Sequence, residues 1–146
     1  MIDTRLAPYG ALVLRVLLGT GLLAHSAYLK VFVFTMPGTV QFFESIGLPG
    51  ALAWLTVAVE IAAGAMLVLG VRSRAAALAA LPILLGATWT HAGNGWLFTA
   101  AGGGWEYPAF WSAALVVQAL IGDGALALSP SRAAAAAPAV AYMAAE

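Results

Sequence analysis

The sequence predicts an all-α membrane protein built as a bundle of four transmembrane helices. Of its 146 residues, 63% are hydrophobic and only 8% are charged, and the mean hydropathy is +0.96. Soluble domains carry about 25% charged residues, so a water-soluble fold is disfavoured. Apolar runs long enough to cross a bilayer recur along the chain, and loops of varied length separate them. These observations favour a polytopic bundle.

The first predicted span covers residues 9–31, with Arg15, His25 and Lys30 inside it or near its end. A basic residue before an apolar run is also typical of a signal peptide. Because Arg15 interrupts the apolar run and three further spans follow, we interpret it as a retained span.

The remaining spans are predicted at residues 50–70, 75–97 and 108–128. Glu60 lies midway along the second span, His91 lies late in the third, and Gln118 lies midway along the fourth. The segment 37–49 has a short apolar core between turn residues, which predicts a half-helix lying along the membrane surface.

Basic residues predict the orientation of the bundle. If four spans cross the bilayer, Arg5, Arg72, Arg74 and Arg132 fall on one side. The positive-inside rule then places both termini in the cytoplasm of a bacterium, with the bundle in its cytoplasmic (inner) membrane. We divide the chain into a transmembrane domain, 1–128, and an Ala-rich cytoplasmic tail, 129–146.

Composition also excludes several kinds of chemistry and partner. Cysteine is absent, which excludes disulfides, thiolate ligands and thiol redox chemistry within the chain. The net charge is zero and no basic run occurs, so nucleic acid is not an expected partner. The two histidines and a glutamate could bind a metal, but their spacing is scattered, and no metal site is predicted.

A first polar cluster is predicted near the middle of the membrane. Glu60 lies about 15 Å from the cytoplasmic end of its span, whereas Arg15 lies about 9 Å from that face and reaches about 6 Å further. An ion pair between them is expected, and Gln118 could complete the cluster. The pair could lock two helices in register or handle a ligand or proton, and an Arg15 that extends to the headgroups is a further alternative.

A second polar layer is predicted near the outer face. His25 and His91 each lie about 24 Å above the cytoplasmic ends of their spans, with Lys30 and Glu106 close in sequence or loop. Histidine carries protons near neutral pH, so these residues could line a ligand site together with Glu60. Alternatively, they could only hold the outer loop in place by hydrogen bonds.

Four stretches, in order, resemble the DoxX family of membrane proteins over nearly the whole chain. They are residues 15–19 followed by His25 and Lys30, the loop 43–49, the run 59–74, and His91 with residues 103–108. The resemblance implies a four-helix inner-membrane protein with family polar positions at Arg15, Glu60, Arg72, His91 and Glu106. The family's usual acidic residue near the end of the fourth span is less clear here, where the chain reads Ile121-Gly122-Asp123-Gly124.

The resemblance also implies a class of function. Some relatives are linked to quinone-coupled oxidation of thiosulfate, and others to oxidative-stress assemblies at the membrane. We therefore expect a subunit of a quinone-linked oxidoreductase, or of such an assembly, that binds a quinone within the bundle. The alternative is a non-catalytic anchor for another membrane or periplasmic protein, and a small-solute transporter is less favoured. Partners considered besides the lipid bilayer include a second copy of the chain.

Overall fold

The computed structural model describes residues 3–131 and is helical, without a β-strand in that range. Helix α1, Ala7–Leu23, continues directly into a π-helical segment, Ala24–Val33. The other helices are α2, Thr35–Ser45; α3, Ala51–Leu69; α4, Ser73–His91, extended by a 3-10 turn, Ala92–Asn94; and α5, Glu106–Ile121. Most of the predicted Ala-rich tail, residues 132–146, lies outside the described residues.

Within residues 3–131, three helical stretches are long and apolar enough to cross a membrane, namely Ala7–Val33, Ala51–Leu69 and Ser73–Asn94. The fourth predicted span is shorter than expected, since α5 ends at Ile121 rather than at residue 128. The helix stops because Gly122 takes φ +88°, a conformation that glycine adopts without steric cost. The predicted helix within 37–49 is confirmed as α2.

The helices pack as a bundle in which α1 contacts α3 and α5, and α4 contacts α3 and α5. Its core is mainly leucine and alanine, with Trp111 of α5. Helices α1 and α3 meet at Gly19 and Gly64, where a Cβ added to Gly19 would lie 2.6 Å from the Gly64 carbonyl oxygen. Small residues at such crossings let two backbones approach closely, as is typical of membrane helices.

One end of the bundle, which we call the arginine end, contains Arg15, Arg72 and Arg74. Residues 122–131, which we call the strap, follow α5 and run across this end. The strap is bound through its backbone: the Ala125 amide donates to the Pro8 carbonyl at 2.9 Å, and the Ser129 amide donates to the Gly70 carbonyl at 3.1 Å. The strap thereby joins the start of α1 to the turn between α3 and α4.

Arg15 is 1% exposed and binds the strap to α3. All five of its N–H groups donate to backbone carbonyl oxygens, at 2.7–3.1 Å. The acceptors are Leu67 and Val68 at the end of α3, and Asp123, Ala125 and Leu126 in the strap. An arginine has five N–H donors in a fixed planar fork, so this guanidinium is fully satisfied without a carboxylate.

The end of α3 suits a buried cation. The Val71 amide donates to the Met66 carbonyl and the Gly70 amide to the Leu67 carbonyl, a Schellman motif that needs the left-handed conformation of Gly70 (φ +69°). Arg15 bonds the Val68 carbonyl, which this motif leaves free. Because the C-terminal end of a helix carries partial negative charge, it stabilises the guanidinium further.

The predicted cluster of Arg15, Glu60 and Gln118 is therefore wrong. The Arg15 donors are taken up by carbonyls seven and eight residues beyond Glu60, about 10–12 Å along α3. The guanidinium extends toward the arginine end and not toward the midplane. The Gln118 side-chain amide instead donates to the Gly122 carbonyl at 2.5 Å, where α5 ends.

Asp123 completes the arginine end by binding the start of α4. Its carboxylate accepts hydrogen bonds from the Ser73 amide at 2.7 Å and the Ser131 amide at 2.8 Å. Burial alone would raise the pKa of Asp123, but these donated hydrogen bonds outweigh it and the pKa is lowered. An anion at a helix N-terminus is also favourable, so Arg15 and Asp123 complement the two helix ends at the α3–α4 turn.

We expect Arg15→Lys to destabilise the bundle strongly. Lysine keeps the charge but has three donors, so at least two buried carbonyls lose their partner, at about 1–3 kcal/mol each. The measurement is the free energy of unfolding in mixed micelles. The control is Arg5→Lys, at an exposed position, which should change little. Equal stability of the two variants would contradict the assigned role of Arg15.

We expect the Asp123 contacts to make stability depend on acid pH. Because the pKa is lower in the folded than in the unfolded chain, where it is about 3.8, the stabilisation is present above pH 3.8 and is lost as pH falls through the folded-state value. Unfolding measured from pH 7 to 2 should show this loss, beginning below pH 3.8. Asp123→Asn should flatten the profile, whereas Asp3→Asn, at an exposed carboxylate, should leave it unchanged.

Candidate functional site

A partly buried ion pair lies on the side of Glu60 away from the arginine end. Lys30 Nζ lies 2.5 Å from Glu60 Oε2, and the Ser26 hydroxyl donates to the same oxygen. The side chain of Glu60 is 5% exposed and that of Lys30 is 22% exposed. A carboxylate this deep in an apolar bundle is costly unless it is paired, and Lys30 is the partner that the structure gives it.

The π-helical segment places both donors toward Glu60. Its backbone bonds join residues five apart, as between the Phe34 amide and the Leu29 carbonyl at 2.8 Å, so residues four or five apart lie above one another. Ser26 and Lys30 are four apart and face α3 together. Ten residues is long for a π-helix, because most are single-turn bulges, and these bulges are frequent at functional sites.

Helix α2 is hydrogen-bonded to the π-helical segment. The Thr39 hydroxyl donates to the Lys30 carbonyl at 2.9 Å, and Thr39 is buried. Helix α2 also packs against α3. Lys30 is therefore bound at two points. Its carbonyl oxygen accepts a hydrogen bond from Thr39 of α2, and its ammonium group pairs with Glu60.

His25 lies beside two aromatic residues of α5. Its ring centroid is 5.1 Å from that of Trp111, edge to face, and 6.2 Å from that of Tyr107. Tyr107 and Trp111 are themselves 5.4 Å apart. These distances lie within the range of favourable aromatic pairs, so His25 connects the π-helical segment to the start of α5.

A groove of about 440 Å³, which we call the ring groove, opens beside this aromatic cluster. It is lined by Trp96, Phe98, Glu106, Tyr107, Ala109 and Phe110. The lining is mainly aromatic and apolar, and Glu106 is the charged residue among the described lining residues. Tyr107 belongs both to the groove and to the contact with His25, which places a histidine close behind the groove wall.

His91 and Glu106 fix the loop between α4 and α5. His91 Nδ1 lies 3.0 and 3.1 Å from the carbonyl oxygens of Gly102 and Gly103, so Nδ1 carries the proton. Glu106 accepts a hydrogen bond from the Phe98 amide at 2.9 Å. These contacts agree with the loop-holding alternative, although Glu106 also lines the ring groove.

The predicted ligand-site residues therefore fall into two groups. His25, Lys30 and Glu60 lie together around the π-helical segment, whereas His91 and Glu106 bind the α4–α5 loop. Ser26 and Thr39 were not predicted from the sequence. The only signal for Ser26 was its position four residues before Lys30, and that spacing has meaning only once the helix is known.

The comparisons with known proteins identify one family. The DoxX family model matches residues 10–93, more than half of the chain. The chain belongs to the DoxX family. A Bacillus subtilis (strain 168) protein named putative oxidoreductase CatD is 37% identical over 78 residues, which are 53% of this chain and 56% of that protein. No solved structure matches the chain at a significant level.

The family match covers some of the polar residues described above and leaves out others. Residues 10–93 include Arg15, His25, Lys30, Glu60 and His91. The match ends before Glu106 and the strap. The chain is thus a DoxX family membrane protein whose buried ion pair lies inside the matched region.

We expect a double-mutant cycle to detect the contact between Lys30 and Glu60. Glu60→Gln and Lys30→Met each leave one partner without its counter-charge, so the double variant should lose less stability than the sum of the singles. The coupling should be about 0.5–3 kcal/mol. The matched control is Glu60→Gln with Arg15→Lys, which should be additive. Coupling to Arg15 and none to Lys30 would reverse the assignment.

Proposed function

We propose that this DoxX family protein crosses the cytoplasmic (inner) membrane of a bacterium four times, with α5 as the fourth span and both termini in the cytoplasm. Helix α5 has 16 residues, about 24 Å at 1.5 Å per residue, against a hydrocarbon core of about 30 Å. Its packing against α4 and α1 supports a spanning role. The basic residues Arg5 and Arg72, which precede helices, and Arg74, in the first turn of α4, support the orientation.

We further propose that the bundle binds a quinone-like ring and serves a quinone-linked oxidoreductase or an oxidative-stress complex. The observation that carries this proposal is the partly buried Lys30–Glu60 pair. Lys30 lies on the same helical segment as His25, which packs beside Tyr107 of the ring groove. Ionisable groups at membrane depth are typical of proton and substrate pathways. The relative's name, putative oxidoreductase CatD, supports the same class of activity.

The ring groove fits a flat ring bearing carbonyl groups. Its volume of about 440 Å³ lies within the range of small-molecule sites, about 300–1,000 Å³. Trp96, Phe98 and Tyr107 offer aromatic faces. The Trp96 indole N–H and the Tyr107 hydroxyl are hydrogen-bond donors for carbonyl oxygens.

When bound, a quinone would supply reversible uptake of electrons and protons. The chain's own residues would hold the ring and move protons. We assign His25 the role of proton carrier between the groove and the Glu60 pair, because it packs beside Tyr107 and lies on the same helical segment as Lys30. Because the chain contains no cysteine, any thiol step belongs to a partner protein.

A second candidate function is a membrane anchor for another protein. The observation in its favour is that His91 and Glu106 fix the α4–α5 loop and leave its apolar side chains outward. Trp96, Leu97 and Phe98 are 57–65% exposed, and aromatic residues dominate protein interfaces. The lipid interface also attracts such residues, so their exposure alone does not identify a partner.

The test is the quinone content of the full-length protein purified from bacterial membranes in native lipid. We expect about one quinone per chain in the solvent extract. Tyr107→Ala should reduce the bound amount about tenfold, because it removes a ring face and a donor. The control is Tyr28→Ala, since Tyr28 is exposed on the π-helical segment and does not line the groove.

The outcomes separate the two candidate functions. Loss of quinone in Tyr107→Ala, with unfolding temperature unchanged, supports the quinone site. No quinone in the wild-type extract, together with the repeated recovery of one stoichiometric protein, would support the anchor and overturn the quinone proposal. Equal quinone content in the wild type and in both tyrosine variants would mean that the quinone is only dissolved in the surrounding lipid, and would overturn the quinone site.

A further inference from the structure

A second groove, which we call the tail groove, lies on the outside of the bundle between α1 and α5. Its volume is about 230 Å³, and it is lined by Leu14, Phe110, Ala113, Ala114 and Val117, all apolar. The groove exists because two alanines lie between larger side chains. Phe110 and Val117 stand on either side of them along α5, and Leu14 faces them from α1.

The tail groove continues the ring groove. Phe110 lines both. From Glu106 to Val117 the two grooves follow one face of α5 over eleven residues, about 16 Å, or half the hydrocarbon thickness. Polar and aromatic groups occupy the end nearest the α4–α5 loop, and only aliphatic groups and Phe110 line the rest. This order matches a molecule with a ring at one end and a hydrocarbon chain at the other.

We propose that the tail groove seats the isoprenoid tail of a membrane quinone whose ring occupies the ring groove. This inference rests on the proposed function and deepens it, because it specifies a tailed, lipid-soluble quinone in place of a water-soluble one. Phe110 is 74% exposed and Leu120 is 71% exposed, so this face of α5 is directed toward lipid. A tailed quinone can therefore enter sideways from the bilayer.

Charge and shape favour this occupant over two others. Glu106 is the charged residue among the described residues that line the ring groove, and its carboxylate repels a phospholipid phosphate but tolerates a neutral ring. A helix of a second copy would place separate side chains into this face, whereas one continuous chain can follow the two connected grooves along α5.

The tail groove would select an isoprenoid chain by its shape more than by a gain in hydrophobic free energy. Lipid tails are as apolar as the groove lining, so moving an isoprenoid chain from lipid into the groove gains little. The informative variant is therefore one that blocks the groove. Ala113 is exposed, so Ala113→Phe adds its ring without disturbing the core. Ala62→Phe, at an exposed alanine of α3 that does not line either groove, is the matched control.

The experiment uses the full chain in nanodiscs and two probes with the same ring, a ubiquinone with two isoprene units and its tail-less analogue. Binding is measured by quenching of tryptophan fluorescence, since Trp96 lines the ring groove. We expect Ala113→Phe to weaken binding of the tailed probe about tenfold and that of the tail-less probe less than twofold. Ala62→Phe should change neither.

Each other outcome overturns a defined part of the proposal. If the wild type binds both probes and Ala113→Phe affects them equally or not at all, the tail does not lie in this groove, but the ring site stands. If the wild type binds neither probe, the proposed function fails and this inference fails with it. If Ala113→Phe instead converts a dimer to a monomer, the groove is a contact between two copies.

Discussion

The buried guanidinium of Arg15 is the constraint on which the rest of the structure depends. It lies 1% exposed among five carbonyl oxygens, two from the end of α3 and three from the strap. A charge in an apolar interior must be compensated, and here backbone dipoles take the place of a counter-charge. The strap and the helix that precedes it are thereby fixed to α1 and α3.

That arrangement divides the polar residues of the bundle between two tasks. Arg15 and Asp123 satisfy helix ends and close the arginine end, so their contacts explain stability. Glu60 is left to Lys30 and Ser26, and His25 on the same π-helical segment packs against the aromatic start of α5. The π-helical segment brings these groups together, because its spacing directs Ser26 and Lys30 onto one carboxylate.

Much of the fold could be predicted from the sequence, because the apolar runs and turn residues report directly on helices and loops. The hydrogen-bond partners of Arg15 could not be predicted, because they are backbone carbonyl groups, which every residue has. The depth estimate matched Arg15 with Glu60 by assuming that the side chain extends toward the midplane, whereas it extends toward the end of α3. The π-helical segment, which determines the partner of Glu60, has no sequence pattern of its own. Asp123, which follows the fourth predicted helix, binds the start of α4, a contact that its place in the sequence does not reveal.

The most direct test of this account is hydrogen exchange at the Arg15 side-chain Nε–H, followed by NMR in detergent or nanodiscs. A donor bonded at 2.9 Å to the Asp123 carbonyl and shielded from water should exchange far more slowly than that of Arg5, which lies in an exposed segment. We expect this protection at pH 7. Exchange of the Arg15 proton at the same rate as that of Arg5 would mean that the guanidinium is not held by the strap, and would contradict the account.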